Sequence, residues 1–309
     1  MRIFCKKPIA SLNILNIQIG LEKPGMKWRN PRRSGNVEDR RGGIPMKAVG
    51  GGIGGIIVLV IALLLGADPG SVLNNNPSGN LDGGTTVDQS SFTEEENQLA
   101  DFVSVVLADT EDTWNEIFAE NDLEYREPTL VLFTDAVDSG CGFAQSAVGP
   151  FYCPADENVY IDLSFYKDLR DRFGAPGDFA QAYVIAHEVG HHVQNQLGIS
   201  EDVQRAQQQA SSQAEANRYS VMLELQADCL AGVWGYHAER SRDVLQEGDV
   251  EEGLNAASSI GDDRLQMESQ GRVAPDSFTH GSSAQRVSWF KTGLDSGDIN
   301  SCNTFEVLG

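Results

Sequence analysis

Basic residues are scarce in this chain: 23 Lys and Arg stand against 45 Asp and Glu, for a net charge of −22. Eleven of those 23, and only three of the acids, lie in residues 1–47. The rest of the chain holds 12 basic and 42 acidic residues, a net of −30. A body of that sign argues against a nucleic-acid backbone as partner, because such binding rests on Lys and Arg displacing counterions. Cysteine is also sparse, at positions 5, 141, 153, 229 and 302, and no two form the CxxC pair of a structural zinc site. There are five histidines, three of them between 187 and 192.

From Ala48 to Gly66 the sequence runs for 19 residues without a charge, the length that crosses a hydrocarbon core of roughly 30 Å as a helix. It reads as a transmembrane helix rather than a secretory signal, because no small-residue cleavage site follows a short apolar core and the basic region before it is long. Lys27, Arg29, Arg32, Arg33, Arg40, Arg41 and Lys47 place the N-terminus in the cytoplasm by the positive-inside rule. The expected organisation is a basic cytoplasmic tail over 1–47, a single membrane span over 48–66, a flexible linker over 67–90 rich in Gly, Asn, Asp and Ser, and an extracytoplasmic domain over 91–309. Residues 26–47 would make a complete tail starting at Met26, which leaves 1–25 as a candidate upstream extension.

Within the domain, Thr93 stands as an N-cap before Glu94, Glu95 and Glu96, and apolar residues from Leu99 to Leu107 recur at helical spacing. A second helix is expected around Trp114 to Phe118. The runs TLVLFT (129–134) and NVYIDLSF (158–165) have the length and side chains of strands, and the second is a candidate edge for pairing with an extended substrate. Cys141 and Cys153 bracket a short loop that a disulfide could close, with Cys229 and Cys302 as a second candidate pair; the alternative is buried free thiols. After Phe173 the pattern is helical to about Phe290, which gives an α+β class with a small sheet before a mainly helical core.

The chemistry lies on the helix that Asp178 and Gln181 are expected to cap and Gly198 to end. It carries His187, Glu188 and His191 in an HExxH pattern. Residues four apart on a helix differ by about 40° around its axis, so both imidazoles leave one face and can share one ion. Glu188 lies about 100° round from His187, beside the ligands, where a base for a metal-bound water belongs. Further on, Glu224 and Asp228 are again four apart on an otherwise apolar helical stretch, where burying two acids requires compensation. The reading is a Zn2+ ion held by His187, His191 and Glu224, Asp228 fixing the free ring nitrogen of a ligand histidine, and Glu188 as general base in hydrolysis of a protein or peptide.

HExxH followed by ExxxD resembles the gluzincin arrangement of metallopeptidases. The wording HEVGHHVQNQLG, ELQADCLAGVW, IGDDRLQ and FTHGSSAQRVSWFKTG closely resembles the neutral zinc metallopeptidase family of bacterial membrane-anchored proteins, from the NVEDRRG segment near Asn36 to Gly293. That resemblance implies a zincin-like catalytic domain in the cell envelope and names no substrate.

His280 and Arg286 are candidates to stabilise the oxyanion of peptide hydrolysis, resembling the His and Arg that follow the ligand helix in related membrane zincins. The alternatives are a solvated His280 at a helix start capped by Ser282 and Gln285, and an Arg286 paired with Asp262 or Asp263. His192 lies about 140° from His187 and cannot join the site, and His237 reads as structural. The competing functions are an envelope scaffold in which zinc is only structural, and a hydrolase of another amide such as a cell-wall peptide.

Overall fold

The computed structural model describes residues 26–28, 32–42 and 92–308. The apolar run 48–66 and the linker 67–90 lie outside the described residues. Among the described residues no helix is long and apolar enough to cross a membrane.

Helix α1 (Glu94–Glu120) opens on a reciprocal cap, in which Thr93 Oγ1 accepts from the Glu96 amide and Glu96 Oε2 accepts from the Thr93 amide. It is one helix where the sequence suggests two. In the polar stretch Asp109 to Thr113, which looks like a break, all but the exposed Asp112 are instead buried. Asp109 accepts from Trp234 Nε1 at 2.7 Å and from Arg242 Nε at 2.5 Å, and the hydroxyls of Thr110 and Thr113 donate back to helix carbonyls.

The strands are β1 (Val37–Asp39), β2 (Thr129–Phe133), β3 (Ala136–Ser139), β4 (Gly142–Gln145), β5 (Phe151–Cys153) and β6 (Asn158–Asp162). Four of them form a sheet of order β1-β2-β6-β5, with β2 parallel to β1 and β6, and β5 antiparallel to β6. The two central strands are apolar on both faces, because successive side chains leave opposite sides. Leu130, Leu132, Val159 and Ile161 join the main core, while Val131, Phe133 and Tyr160 pack beneath the β3–β4 hairpin. A disulfide between Cys141 and Cys153 ties that hairpin to β5. The strand from Asn158 is therefore interior and the edges are β1 and β5; of these β5 lines the cleft, so the candidate substrate edge moves there.

Residues 32–42, expected in a tail, are part of the domain. Val37, Glu38 and Asp39 pair with Leu130, Val131 and Leu132. Arg41 is only 5 % exposed, bonded to Asp39 and to the Glu96 carbonyl, with its guanidinium 4.2 Å from the Phe92 ring centre. Ser34 and Asn36 both donate to Glu111. Strands cannot exchange hydrogen bonds across a bilayer, so residues 32–42 and 92–308 share one side of any membrane. A tail boundary at residue 47, with that tail on the opposite side from the domain, does not go with this pairing.

The remaining helices are α2 (Ser164–Asp171), α3 (Asp178–Gln196), α4 (Ile199–Gln209), α5 (Gln213–Arg242), α6 (Asp249–Ser259), α7 (Asp262–Gln270), α8 (Ser283–Ser296) and α9 (Thr304–Leu308). Two close approaches set the core. A β-carbon on Gly232 of α5 would lie 2.1 Å from the Phe290 carbonyl oxygen, and one on Gly293 of α8 would lie 1.9 Å from that of Cys229. These helices cross backbone against backbone, and only glycine permits it. Gly190, inside the HExxH segment, faces the Ala227 carbonyl in the same way, which brings α5 close enough for its acids to reach α3. A second disulfide, Cys229–Cys302, pins α5 to the C-terminal segment.

Candidate metal centre

The α3 helix starts differently from the expected cap. Gly177 is the N-cap and makes no side-chain bond, while Asp178 is the first helical residue and accepts from the Met26 amide at 3.1 Å. The helix runs through a core of apolar side chains and delivers His187, Glu188 and His191 to one cleft.

His187 Nε2 stands 3.2 Å from Glu224 Oε2, and His191 Nε2 stands 3.4 Å from Glu224 Oε1. One ligand atom from each of the three residues lies within 4.8 Å of the others. The opposite ring nitrogens are occupied. His187 Nδ1 is 2.9 Å from Asp228 Oδ1, and His191 Nδ1 is 2.8 Å from Gln194 Oε1. The Gln194 amide nitrogen donates to the Leu223 carbonyl at 2.7 Å and to Gln226 Oε1 at 3.0 Å, so its oxygen must face His191. Both Nδ1 atoms therefore carry a proton, which leaves the two Nε2 atoms facing Glu224 as the nitrogens that an ion would engage in place of a proton. A His2Glu set with this convergence fits zinc in its catalytic form, with three protein ligands and an open position.

Asp228 is fully buried and holds the arrangement together. Besides His187 it accepts from Tyr183 Oη at 2.5 Å, Arg286 Nε at 2.8 Å and Arg286 Nη2 at 2.8 Å. Burial alone would raise the Asp228 carboxyl, but Arg286 and His187 outweigh it and hold the group below its usual range. Glu224 behaves alike: burial raises it, and His191, His280 and His187 together drive it well below the ordinary carboxylate value. Burial opposes charge on His187, yet Asp228 and Glu224 bring it up to about 10. The pocket is thus built to hold positive charge between ionised carboxylates.

Glu188 lines the same cleft, and among the described residues its carboxylate makes no hydrogen bond or ion pair, which leaves it available to a proton. His280 is held by the loop before α8. Asp262 accepts from the backbone amides of Thr279, His280 and Gly281 and lies 3.3 Å from His280 Nδ1, which turns the other ring nitrogen away from Asp262. Burial works against a charged His280, but Glu224 and Asp262 prevail and raise it. Arg286 pairs with Asp228, not with Asp262 or Asp263, and spends its other donors on Tyr183 and the Ile260 carbonyl. Its geometry is that of a residue that positions His187 through Asp228. His192 lies fully buried outside the triad, between Tyr152 Oη and the Arg126 carbonyl, and His237 bonds the Gly297 carbonyl.

Tyr183, Gln194 and the β5 edge escape notice in the sequence. Tyr183 lies four residues before His187 and Gln194 three after His191, so the helical spacing that groups the histidines also groups these. No local signal marks Phe151 and Tyr152, which reach the cleft through sheet topology.

His187, His191 and Glu224 thus form a possible metal site, and the chain belongs to the family described as Putative neutral zinc metallopeptidase, whose model matches residues 26–305. It is similar to the uncharacterized protein YpfJ of Escherichia coli K12, at 52 % identity over 290 residues, which is 91 % of this chain and 99 % of that one. It is also similar to the uncharacterized proteins Mb2605 of Mycobacterium bovis and Rv2575 of Mycobacterium tuberculosis, at 41 % identity over 260 residues, covering 80 % of this chain and 85 % of theirs. No solved structure matches the chain.

Proposed function

We propose that the protein is a zinc-dependent peptidase that hydrolyses peptide bonds outside the cytoplasm. The observation that carries this reading is the convergence of both histidine Nε2 atoms on Glu224, with each Nδ1 locked by an acceptor and an unengaged Glu188 alongside. His187, His191 and Glu224 would hold the ion. Zinc, when bound, supplies Lewis acidity that polarises a carbonyl and makes water acidic near neutral pH.

The chain's own residues do the rest. Glu188 takes the proton from the attacking water and returns one to the leaving amine. His280 donates from its ring to the oxyanion that forms on the carbonyl, with Asp262 fixing the ring. Asp228, oriented by Tyr183 and Arg286, keeps His187 in the tautomer that binds metal. The β5 edge at Phe151 and Tyr152 offers backbone groups to an extended peptide entering the cleft.

A scaffold role would call for a site closed by a fourth protein ligand, and three are in reach among the described residues. Cleavage of an unfolded protein by the zinc-loaded chain, compared with Glu188→Gln, tests the reading; equal cleavage removes Glu188 from the mechanism.

The two disulfides favour an oxidising compartment, and the run 48–66 is the proposed attachment to the cytoplasmic membrane, by an insertion that does not cross it once, since a single crossing would separate β1 from β2. Because β1 pairs with β2, residues 32–42 would sit on the outer side with the domain.

A further inference from the structure

The C-terminal segment, which no step of the proposed hydrolysis uses, is fastened to the helix that carries Glu224 and Asp228. A short 3-10 turn at Ile299–Cys302 leads into α9 (Thr304–Leu308). Thr304 Oγ1 donates to the Met222 carbonyl at 2.7 Å, Gln226 Nε2 donates to the Cys302 carbonyl at 3.0 Å, and a disulfide joins Cys302 to Cys229. All of these side chains are buried. Met222, Gln226 and Cys229 form one stripe of α5, at spacings of four and three residues. Glu224 stands two residues from both Met222 and Gln226, about 200° round the axis, so the segment grips the side of α5 turned away from the metal ligands.

That far side is nonetheless linked to His191. Gln226 Oε1 accepts from Gln194 Nε2 at 3.0 Å, and Gln194 Oε1 stands 2.8 Å from His191 Nδ1. A backbone carbonyl can only accept, so the Cys302 carbonyl makes the Gln226 nitrogen face it and the Gln226 oxygen face Gln194. Gln194 gives one N–H to Gln226 and one to the Leu223 carbonyl, and its oxygen is left for His191. Turned over, Gln226 would set its NH2 against that of Gln194. The flip of Gln194 that relieves this puts a nitrogen against His191 Nδ1 and moves the ring proton to Nε2, the atom that faces Glu224. Both amides are buried, so bulk solvent supplies no substitute partner.

Resting on the assignment of His191 as a metal ligand, we propose that Gln226 is a positioning residue for the metal centre. The Cys302 carbonyl, pinned by the Cys229–Cys302 disulfide, sets through Gln226 and Gln194 which nitrogen His191 presents to the ion. His187 needs no such arm, because its partner Asp228 is a carboxylate whose oxygens all accept. The partner of His191 is an amide, which can face either way and has to be set by its neighbours. The C-terminal disulfide thereby acts on metal affinity as well as on stability.

Chelator competition on the purified full chain measures zinc affinity in three variants. Gln226→Leu, with neither donor nor acceptor, should weaken zinc binding about 10-fold. Gln226→Glu should stay within about threefold of the wild type, because a neutral carboxyl donates to Cys302 and accepts from Gln194 as the amide does, and an ionised one still accepts. Cys229→Ala combined with Cys302→Ala should weaken binding about threefold or more. Unchanged affinity in Gln226→Leu or in the double variant, or equal losses in Gln226→Leu and Gln226→Glu, overturns the proposal. Histidine-selective 15N NMR of the metal-free chain at about pH 9, above the range where an ordinary imidazole is charged, separates this failure from failure of the metal assignment. The His191 signal should report a proton on Nδ1 in the wild type and in Gln226→Glu, and a mixture of Nδ1–H and Nε2–H in Gln226→Leu. That pattern in a chain that takes up no zinc overturns the metal assignment alone. One Nδ1–H signal in all three chains overturns the proposal even where zinc binds.

Discussion

The α3–α5 pair and the sheet with its N-terminal strand are built by opposite means. The helix pair gathers its ligands from two local patterns, HExxH and ExxxD, each confined to five residues. The sheet gathers β1, β2, β6 and β5 from segments spread over residues 37–162, and its edge and its partner strand are set by pairing alone. A site made by one helix facing another can be read from period; a site made by strand order cannot.

Five changes would break or sharpen that contrast, beginning with the most damaging. Glu188→Gln should lower hydrolysis by about 10²- to 10⁴-fold while zinc content, read by elemental analysis, stays at one per chain. Asp228→Asn should weaken zinc affinity by about 10- to 100-fold in a chelator competition, because His187 loses its tautomer lock. Neither should disturb β1. Gly232→Ala should cost about 1–3 kcal/mol or more in chemical denaturation, since the added carbon meets the Phe290 backbone, which cannot give as a side chain can.

On the sheet side, Arg41→Ala should cost about 1–3 kcal/mol, because it strips Asp39 and the Glu96 carbonyl of their buried donor, and it should leave zinc binding unchanged. The smallest effect is the most informative about the membrane. Gly35→Cys has open space around its side chain, and should react with an impermeant thiol reagent in intact cells freed of their outer layer, as should a cysteine at exposed Leu123. Reaction at 123 alone would mean that β1 does not share the domain's side.

Much of the metal centre was legible because its parts repeat at three and four residues. His187, His191, Glu224 and Asp228 come together as the helical spacing demands, and the acid pair on an apolar helix announces its need for compensation. Arg286 could be singled out but not assigned, since its partner Asp228 lies 58 residues away and Asp262 and Asp263 were nearer in sequence. The general α+β class followed from strand-like runs before a helical stretch. The single long α1 did not, because the bonds that satisfy its buried Asp109 come from Trp234 and Arg242 on α5. Residues 32–42 read as a tail because their charges resemble a solvated segment, while Arg41 is in fact folded under the Phe92 ring.

The claim on which the rest depends is that His187, His191 and Glu224 bind one zinc ion through Nε2, Nε2 and carboxylate oxygen. X-ray absorption at the zinc edge of the purified chain tests it directly, alongside His187→Ala. The expected spectrum has two imidazoles, oxygen in the remaining positions and no sulfur, with zinc lost from the variant. A centre with a sulfur ligand or a third imidazole, or full zinc retention by His187→Ala, would contradict it.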